Sequence, residues 1–215
     1  EERLNNNLIF SGIFNSTSGF NQLNQFIQAE AITKTLDPQS GPIQKLFARE
    51  TDLLALCEDK IVKILADKDA IYNANGNAQL TASNNVLGQA IIPASFGMFG
   101  IGKHPESFAS YGYRAYFTDG LRGKVLRLSA DGVTPISDYG MGDFFQDNLP
   151  LNNKIIGFYD NSNGDYNVSL KSLDSESSAK YGDSTTVSFD EAVNGWVSRK
   201  SYIPENGISI DTKLY

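Results

Sequence analysis

A chain of 215 residues with 40% hydrophobic content and 20% charged residues can bury a sizeable core, which excludes a disordered polypeptide. Its 19 glycines and 11% aromatic residues fit a β-rich protein with many tight turns better than a helical bundle. A net charge of −7, with 18 scattered Lys and Arg, excludes a generic nucleic-acid or anionic-membrane surface, because phosphate binding needs clustered cations.

In chain order, NLIFSGIFN (residues 7–15) reads as a strand closed by the polar turn NSTSGFN. QLNQFIQAEAITKTL has a spacing that fits helix and strand equally. After the turn DPQSG, the runs IQKLFARE, DLLALCED and KIVKILAD are three strand-length segments of an antiparallel meander. KDAIYNANGNAQLTAS carries a hairpin turn at NANGN, with Gly76 where a positive φ is needed. Residues 88–112 then break the alternation with glycines, prolines and aromatics, and read as a long ordered loop of functional or interfacial character.

The strand pattern resumes in RAYFTDGLRGKVLRLSADGVTPIS, where alternation predicts strands over residues 115–118 and 125–128. KIIGFYDNSNGDYNVSLKSL repeats strand, polar turn and strand, over residues 155–159 and 166–170, and TTVSFDEAVNGWVSRKSYI forms a fourth unit beyond the Ser-rich spacer 171–184. The units beginning near Asp52, Tyr116 and Phe158 share a skeleton: an apolar strand ending in an acid, a short turn, then an alternating strand. Their spacing is that of four-stranded propeller blades. The fold class is therefore all-β antiparallel meanders, part of a β-propeller, with a β-sandwich with long loops as the alternative. Residues 1–215 read as a single segment of a longer polypeptide.

Chemistry is sparse. His104 is the sole histidine, in GKHPES, and its near neighbours Glu106 and Ser107 are too close in sequence to complete a triad. Cys57 sits in the apolar run LLALCE and reads as a buried, inert thiol without a disulfide partner. One His and one Cys leave a zinc site short of ligands. DNSNGDY resembles the start of a calcium loop, but Lys171 stands where the closing bidentate Glu belongs, so a plain β-turn is the better reading. Asp119, Asp131, Asp143 and Glu191 could supply a carboxylate pair for glycoside hydrolysis, although all four also fit turns and strand ends. No phosphate loop, dinucleotide fingerprint or nucleophile elbow is present, and no run is long and apolar enough for a transmembrane helix. The expectation is a soluble non-enzyme with no catalytic residue, metal or cofactor. Its aromatics serve core or contacts, with Phe96, Phe99, Phe108, Tyr111 and Trp196 as interface anchors.

The succession from IQKLFARETDLLALCEDKIVKILADKDAIYNANGN to VSFDEAVNGWVSRKSYIPENGIS resembles a structural-protein family of large tailed bacteriophages, the virion or stabilisation proteins of crAss-like phages and similar phages of marine bacteria. HPESFASYGYRAYFTD and FDEAVNGWVSRKSY are its most specific pieces. The resemblance implies a non-enzymatic, propeller-like subunit of the virion tail or neck. Its partners would be other tail, neck or portal-proximal proteins and further copies of itself, with neither nucleic acid nor membrane. Two other readings stand beside it: a carbohydrate-binding or polysaccharide-depolymerising module of a phage receptor-binding protein, and an extracellular adhesion propeller of the host.

Overall fold

A computed structural model describes residues 4–12, 14–15, 19–26, 32–49, 52–66, 70–72, 78–80, 87–152, 154–171 and 184–215. The chain divides into two compact units, Glu1–Pro93 and Ala94–Tyr215, so the 88–112 segment contains the boundary of what the sequence presents as one segment.

In the first unit, strands β1 (Asn7–Ile9), β2 (Phe14–Asn15), β3 (Phe20–Asn21) and β4 (Thr33–Thr35) pair antiparallel as β1 with β4 and β2 with β3. Strands β5 (Ile43–Ala48), β6 (Asp52–Cys57) and β7 (Ile61–Ala66) form the expected meander. The hairpin of β8 (Ala70–Tyr72) and β9 (Ala78–Leu80) follows, and β10 (Leu87–Ile91) returns beside β7 to give the sheet order β10-β7-β6-β5. The NANGN turn lies outside the described residues, although the strands flanking it do pair. Leu54, Leu56, Ala55 and Cys57 are all buried, so β6 is covered on both faces, which is why DLLALC reads as a continuous apolar run without alternation. Burial pushes the Cys57 thiol up to about 11, and it is free. Burial also disfavours the charge of Asp52, but Arg49 at 2.7 Å and Lys63 at 3.0 Å outweigh it and hold the carboxyl below the usual range.

The second unit carries two further meanders. Strands β11 (Ala109–Tyr111), β12 (Arg114–Asp119), β13 (Lys124–Ser129) and β14 (Gly132–Pro135) lie side by side in that order. Helix α1 (Gly142–Asn148) leads to β15 (Lys154–Asp160), β16 (Asp165–Lys171), β17 (Thr185–Asp190) and β18 (Gly195–Lys200), again adjacent in chain order. The chain closes with the small hairpin of β19 (Ser209–Ile210) and β20 (Lys213–Leu214). The protein is thus built from antiparallel meanders with one short α-helix among the described residues, the all-β class expected. The six strands predicted between residues 53 and 170 each coincide with an observed one.

Two expectations need correction. Residues 88–112 are not one loop, since their ends belong to β10 and β11. Both are edge strands, and β10 carries a register shift between Leu87 and Ala90, so neither shows the alternation that marks a half-buried strand. The third and fourth sequence units are likewise one sheet, because β16 pairs with β17 from Asp165↔Asp190 to Leu170↔Thr185. Residues 172–183 of the spacer between them lie outside the described residues. With that merger, Asp52, Tyr116 and Phe158 fall in three separate four-stranded sheets.

A single local device closes three of the hairpins. Asp119, Asp160 and Asp190 end their strands, and four positions later Gly123, Gly164 and Asn194 take positive φ values of 62°, 74° and 52°. In each turn the aspartate carboxylate accepts a backbone N–H: from Arg122 at 3.1 Å, Ser162 at 2.9 Å and Ala192 at 2.6 Å. Glycine and asparagine are the residues that enter this left-handed region at least cost, so the pattern D-x-x-x-G/N is a turn code before it is anything else.

Candidate functional site

The register of β15–β17 sorts their side chains onto two faces. Gly157, Tyr159, Tyr166, Val168, Val187 and Phe189 share one face, and all but the glycine pack with Tyr116, Val125, Ile136 and Phe145 in a single core cluster. Tyr116 stacks on Tyr166 with ring centroids 4.9 Å apart and on Tyr159 at 5.6 Å. Tyr111 covers Tyr159 at 4.4 Å. Four tyrosine rings from β11, β12, β15 and β16 thus bridge the two sheets.

Hydrogen bonds fix this seam. The Tyr166 hydroxyl donates to the Ser107 carbonyl at 2.6 Å, and the Thr118 N–H donates to the Ser107 hydroxyl at 3.1 Å. Gly157 makes room for that strap: a Cβ at this position would overlap the Ser107 carbonyl oxygen. At the edge of the seam, the β17–β18 turn presents Glu191 to the first sheet. Its carboxylate accepts from Tyr116 Oη at 2.6 Å and Arg127 Nη1 at 2.8 Å, and pairs with Arg114 Nη1 at 2.9 Å. Burial first, and then the Glu191 carboxylate, push the Tyr116 hydroxyl strongly upward, so it stays a neutral donor. Burial and the neighbouring Tyr111 push Tyr159 up to about 12.

The opposite face is polar and largely buried along β16 and β17, beside the apolar Ile156 and Phe158 of β15. Asp160, Asp165 and Asp190 stand in cross-strand register, followed by Asn167 with Ser188 and by Ser169 with Thr186. Ser188 Oγ donates to Asn167 Oδ1 at 2.5 Å, and Thr186 Oγ1 bonds Ser169 Oγ at 3.0 Å and the Tyr202 carbonyl at 2.7 Å. Residues 201–215 lie over this face. Ser209 Oγ donates to the Tyr159 carbonyl, Gly207 approaches the Phe158 ring, and Glu205 pairs with Lys154 and Lys171. Burial raises the Asp165 carboxyl above its ordinary value, with Asp190 and Asp160 adding to the effect and Lys200 opposing it. Asp160 is buried too, but donors from Ser162 and Asn163 hold it below that range.

The residues singled out by sequence are dispersed. Asp119 is fully buried and receives Gly100 N–H, Arg122 N–H and Arg122 Nη1. Asp131 is exposed in the β13–β14 turn, and Asp143 is exposed on α1. Asp160 is enclosed by donors of its own turn, as the plain-turn reading of DNSNGDY requires. His104 precedes the 3-10 turn Pro105–Ser107, its carbonyl accepts the Ser107 hydroxyl at 2.8 Å, and its ring lies beside Gly120. Burial lowers its pKa and Glu106 opposes the shift, so the ring favours the neutral form. Among the described residues no group of three or more His, Cys, Asp or Glu is placed to hold a metal ion, and no helix is long and apolar enough to cross a membrane.

The proposed anchors differ in setting. Phe96 is buried in the 3-10 turn Ala94–Phe96, while Phe99 and Phe108 are half-buried. Tyr111 is exposed on one side of its stack. Trp196 donates Nε1–H to the Ile136 carbonyl at 3.1 Å and packs on Phe145 and Phe189, so much of its ring serves the unit's own core. Arg114, Arg127 and Tyr166, which complete the seam, escape sequence reasoning, because their meeting with Glu191 and Ser107 spans 59 to 77 positions, the longest being 191 − 114. Glu191 is visible in sequence only as one carboxylate among several. Compared with known proteins, the chain matches no family model and no curated protein.

Proposed function

We propose that this chain is a non-enzymatic structural component of a bacteriophage virion, a propeller-type segment of the tail or neck that holds neighbouring subunits together. The observation that carries the reading is the seam: two consecutive four-stranded meanders in Ala94–Tyr215 stack face to face, as blades do, and spend their aromatics and best-placed carboxylate on joining each other. The sheet of β5–β7 and β10 has the same four-stranded antiparallel form. Such a body is rigid, and its loops are left to vary and bind. The virion assignment itself rests on the resemblance of HPESFASYGYRAYFTD and FDEAVNGWVSRKSY to phage structural proteins.

A polysaccharide-cleaving module needs two carboxylates with room for substrate between them. Here Asp119 is enclosed by Arg122 and backbone amides, and Glu191 is engaged by two arginines and a tyrosine, which favours the structural role over the hydrolytic one. Mass spectrometry of purified particles from the source that encodes the chain tests the reading. Its peptides are expected at stoichiometric levels in the particles. Their absence from particles, or polysaccharide cleavage by the purified chain that is lost in Glu191→Gln, would overturn it.

A further inference from the structure

Strand β18 is the outer strand of its sheet, and among the described residues only β17 pairs with it, so its outward N–H and C=O groups are open to another strand. Beside it runs an open groove of about 310 Å³, walled by Met141, Phe144, Val187, Trp196 and Val197, with Ser198 and Arg199 also in its lining. The walls are preformed. Trp196 is held by its bond to the Ile136 carbonyl and by Phe145, and Val197 remains 46% exposed. Arg199 donates Nε–H to Thr185 Oγ1 at 2.6 Å, which orients the guanidinium, yet Arg199 has no ion-pair partner among the described residues of a chain that carries seven net negative charges.

We propose that this edge and groove bind an extended peptide segment of a partner protein. The segment adds to β18 through main-chain hydrogen bonds, places a large apolar side chain against Trp196 and Phe144, and sets a carboxylate two residues away on the same face against Arg199. A register shift between Ser188 and Phe189 lets β18 take three positions, Trp196 to Arg199, to pass the two from Phe189 to Val187, so the tryptophan and the arginine share one face ~7 Å apart along the sheet, the span of alternate residues on an added strand. A sugar fits less well, because among the described residues of the lining only Ser198 and Arg199 offer uncommitted polar side-chain atoms. A second copy fits less well too, since it would bring another Arg199 and Lys200 to an edge that already carries these two cations.

The inference goes beyond the structural role proposed above and does not depend on the virion assignment. The test is selection of a displayed random heptapeptide library on the purified chain, followed by titration of the enriched peptides while backbone amide resonances are followed. Enriched peptides are expected to carry a large apolar residue with Asp or Glu two positions away, and to shift the amides of residues 195–200. Arg199→Glu is expected to weaken them about tenfold and to switch selection toward Lys or Arg at the acidic position. Val197→Asp, at an exposed site that leaves the core intact, should abolish binding without a change in melting temperature. The proposal is overturned by any of four results: no enrichment, shifts confined to other residues, unchanged charge preference in Arg199→Glu, or occupation of β18 by a second copy or by a sugar from a glycan array.

Discussion

The two faces of the β15–β18 sheet are buried by different means. One is apolar and aromatic, closed by the stacked rings of Tyr116, Tyr159 and Tyr166 and locked by Glu191. The other sets a ladder of Asp, Asn, Ser and Thr on β16 and β17 beside Ile156 and Phe158 of β15, under residues 201–215. Close-packed rings tolerate little displacement, whereas a polar ladder depends on each donor finding its acceptor. The difference teaches where rigidity resides: in the seam between consecutive sheets, and less in the cover over the far face.

The largest expected break of this contrast is Gly157→Ala. An added Cβ would collide with the Ser107 carbonyl and crowd the Tyr166 hydroxyl, so it should destabilise Ala94–Tyr215 by about 3–5 kcal/mol in denaturant titration. Glu191→Gln removes the anion that Arg114 and Arg127 share, and should cost about 2–4 kcal/mol in the same measurement. On the far face, Ser188→Ala leaves Asn167 Oδ1 without its donor and should cost only about 1 kcal/mol.

Asp165→Asn sharpens the comparison by reversing sign. Burial and two neighbouring aspartates disfavour its charge, so a neutral amide should raise the melting temperature at pH 7. The sign for the wild-type residue agrees: a carboxyl raised in the folded state adds stability below its unfolded pKa and loses it as pH climbs through the folded value. Asp52 and Asp160, held low, act oppositely, and their contribution is lost as pH falls below the ordinary carboxylate range. The seam has its own alkaline signature. With Tyr159 raised to about 12 and Tyr116 and Tyr166 raised as well, stability is complete below about pH 10 and falls as pH rises toward 12. Tyrosine absorbance and unfolding should therefore move together in that window.

Sequence legibility follows the same division. Hairpins such as RAYFTDGLRGKVLRLSADG could be read because alternation and the D-x-x-x-G turn are local. Edge strands β10 and β11 are hidden inside a Gly- and aromatic-rich stretch, because β10 carries a register shift and β11 has only three residues, so neither shows a period of two. The merger of the last two hairpins into one sheet was equally invisible, since Asp165↔Asp190 pairing reaches across the spacer. Glu191 stood in the sequence as a possible catalytic acid. Only the approach of β12 and β13 makes it the anion for Tyr116, Arg114 and Arg127.

Native-state hydrogen exchange of the intact chain tests the central claim most directly. If the seam makes the two sheets of Ala94–Tyr215 one rigid body, the slowest amides of β12, β13, β15 and β16 will open together with one free energy, and Glu191→Gln will lower all of them by the same amount. Separate opening energies for the two sheets, or a Glu191→Gln effect confined to the β17–β18 turn, would contradict it.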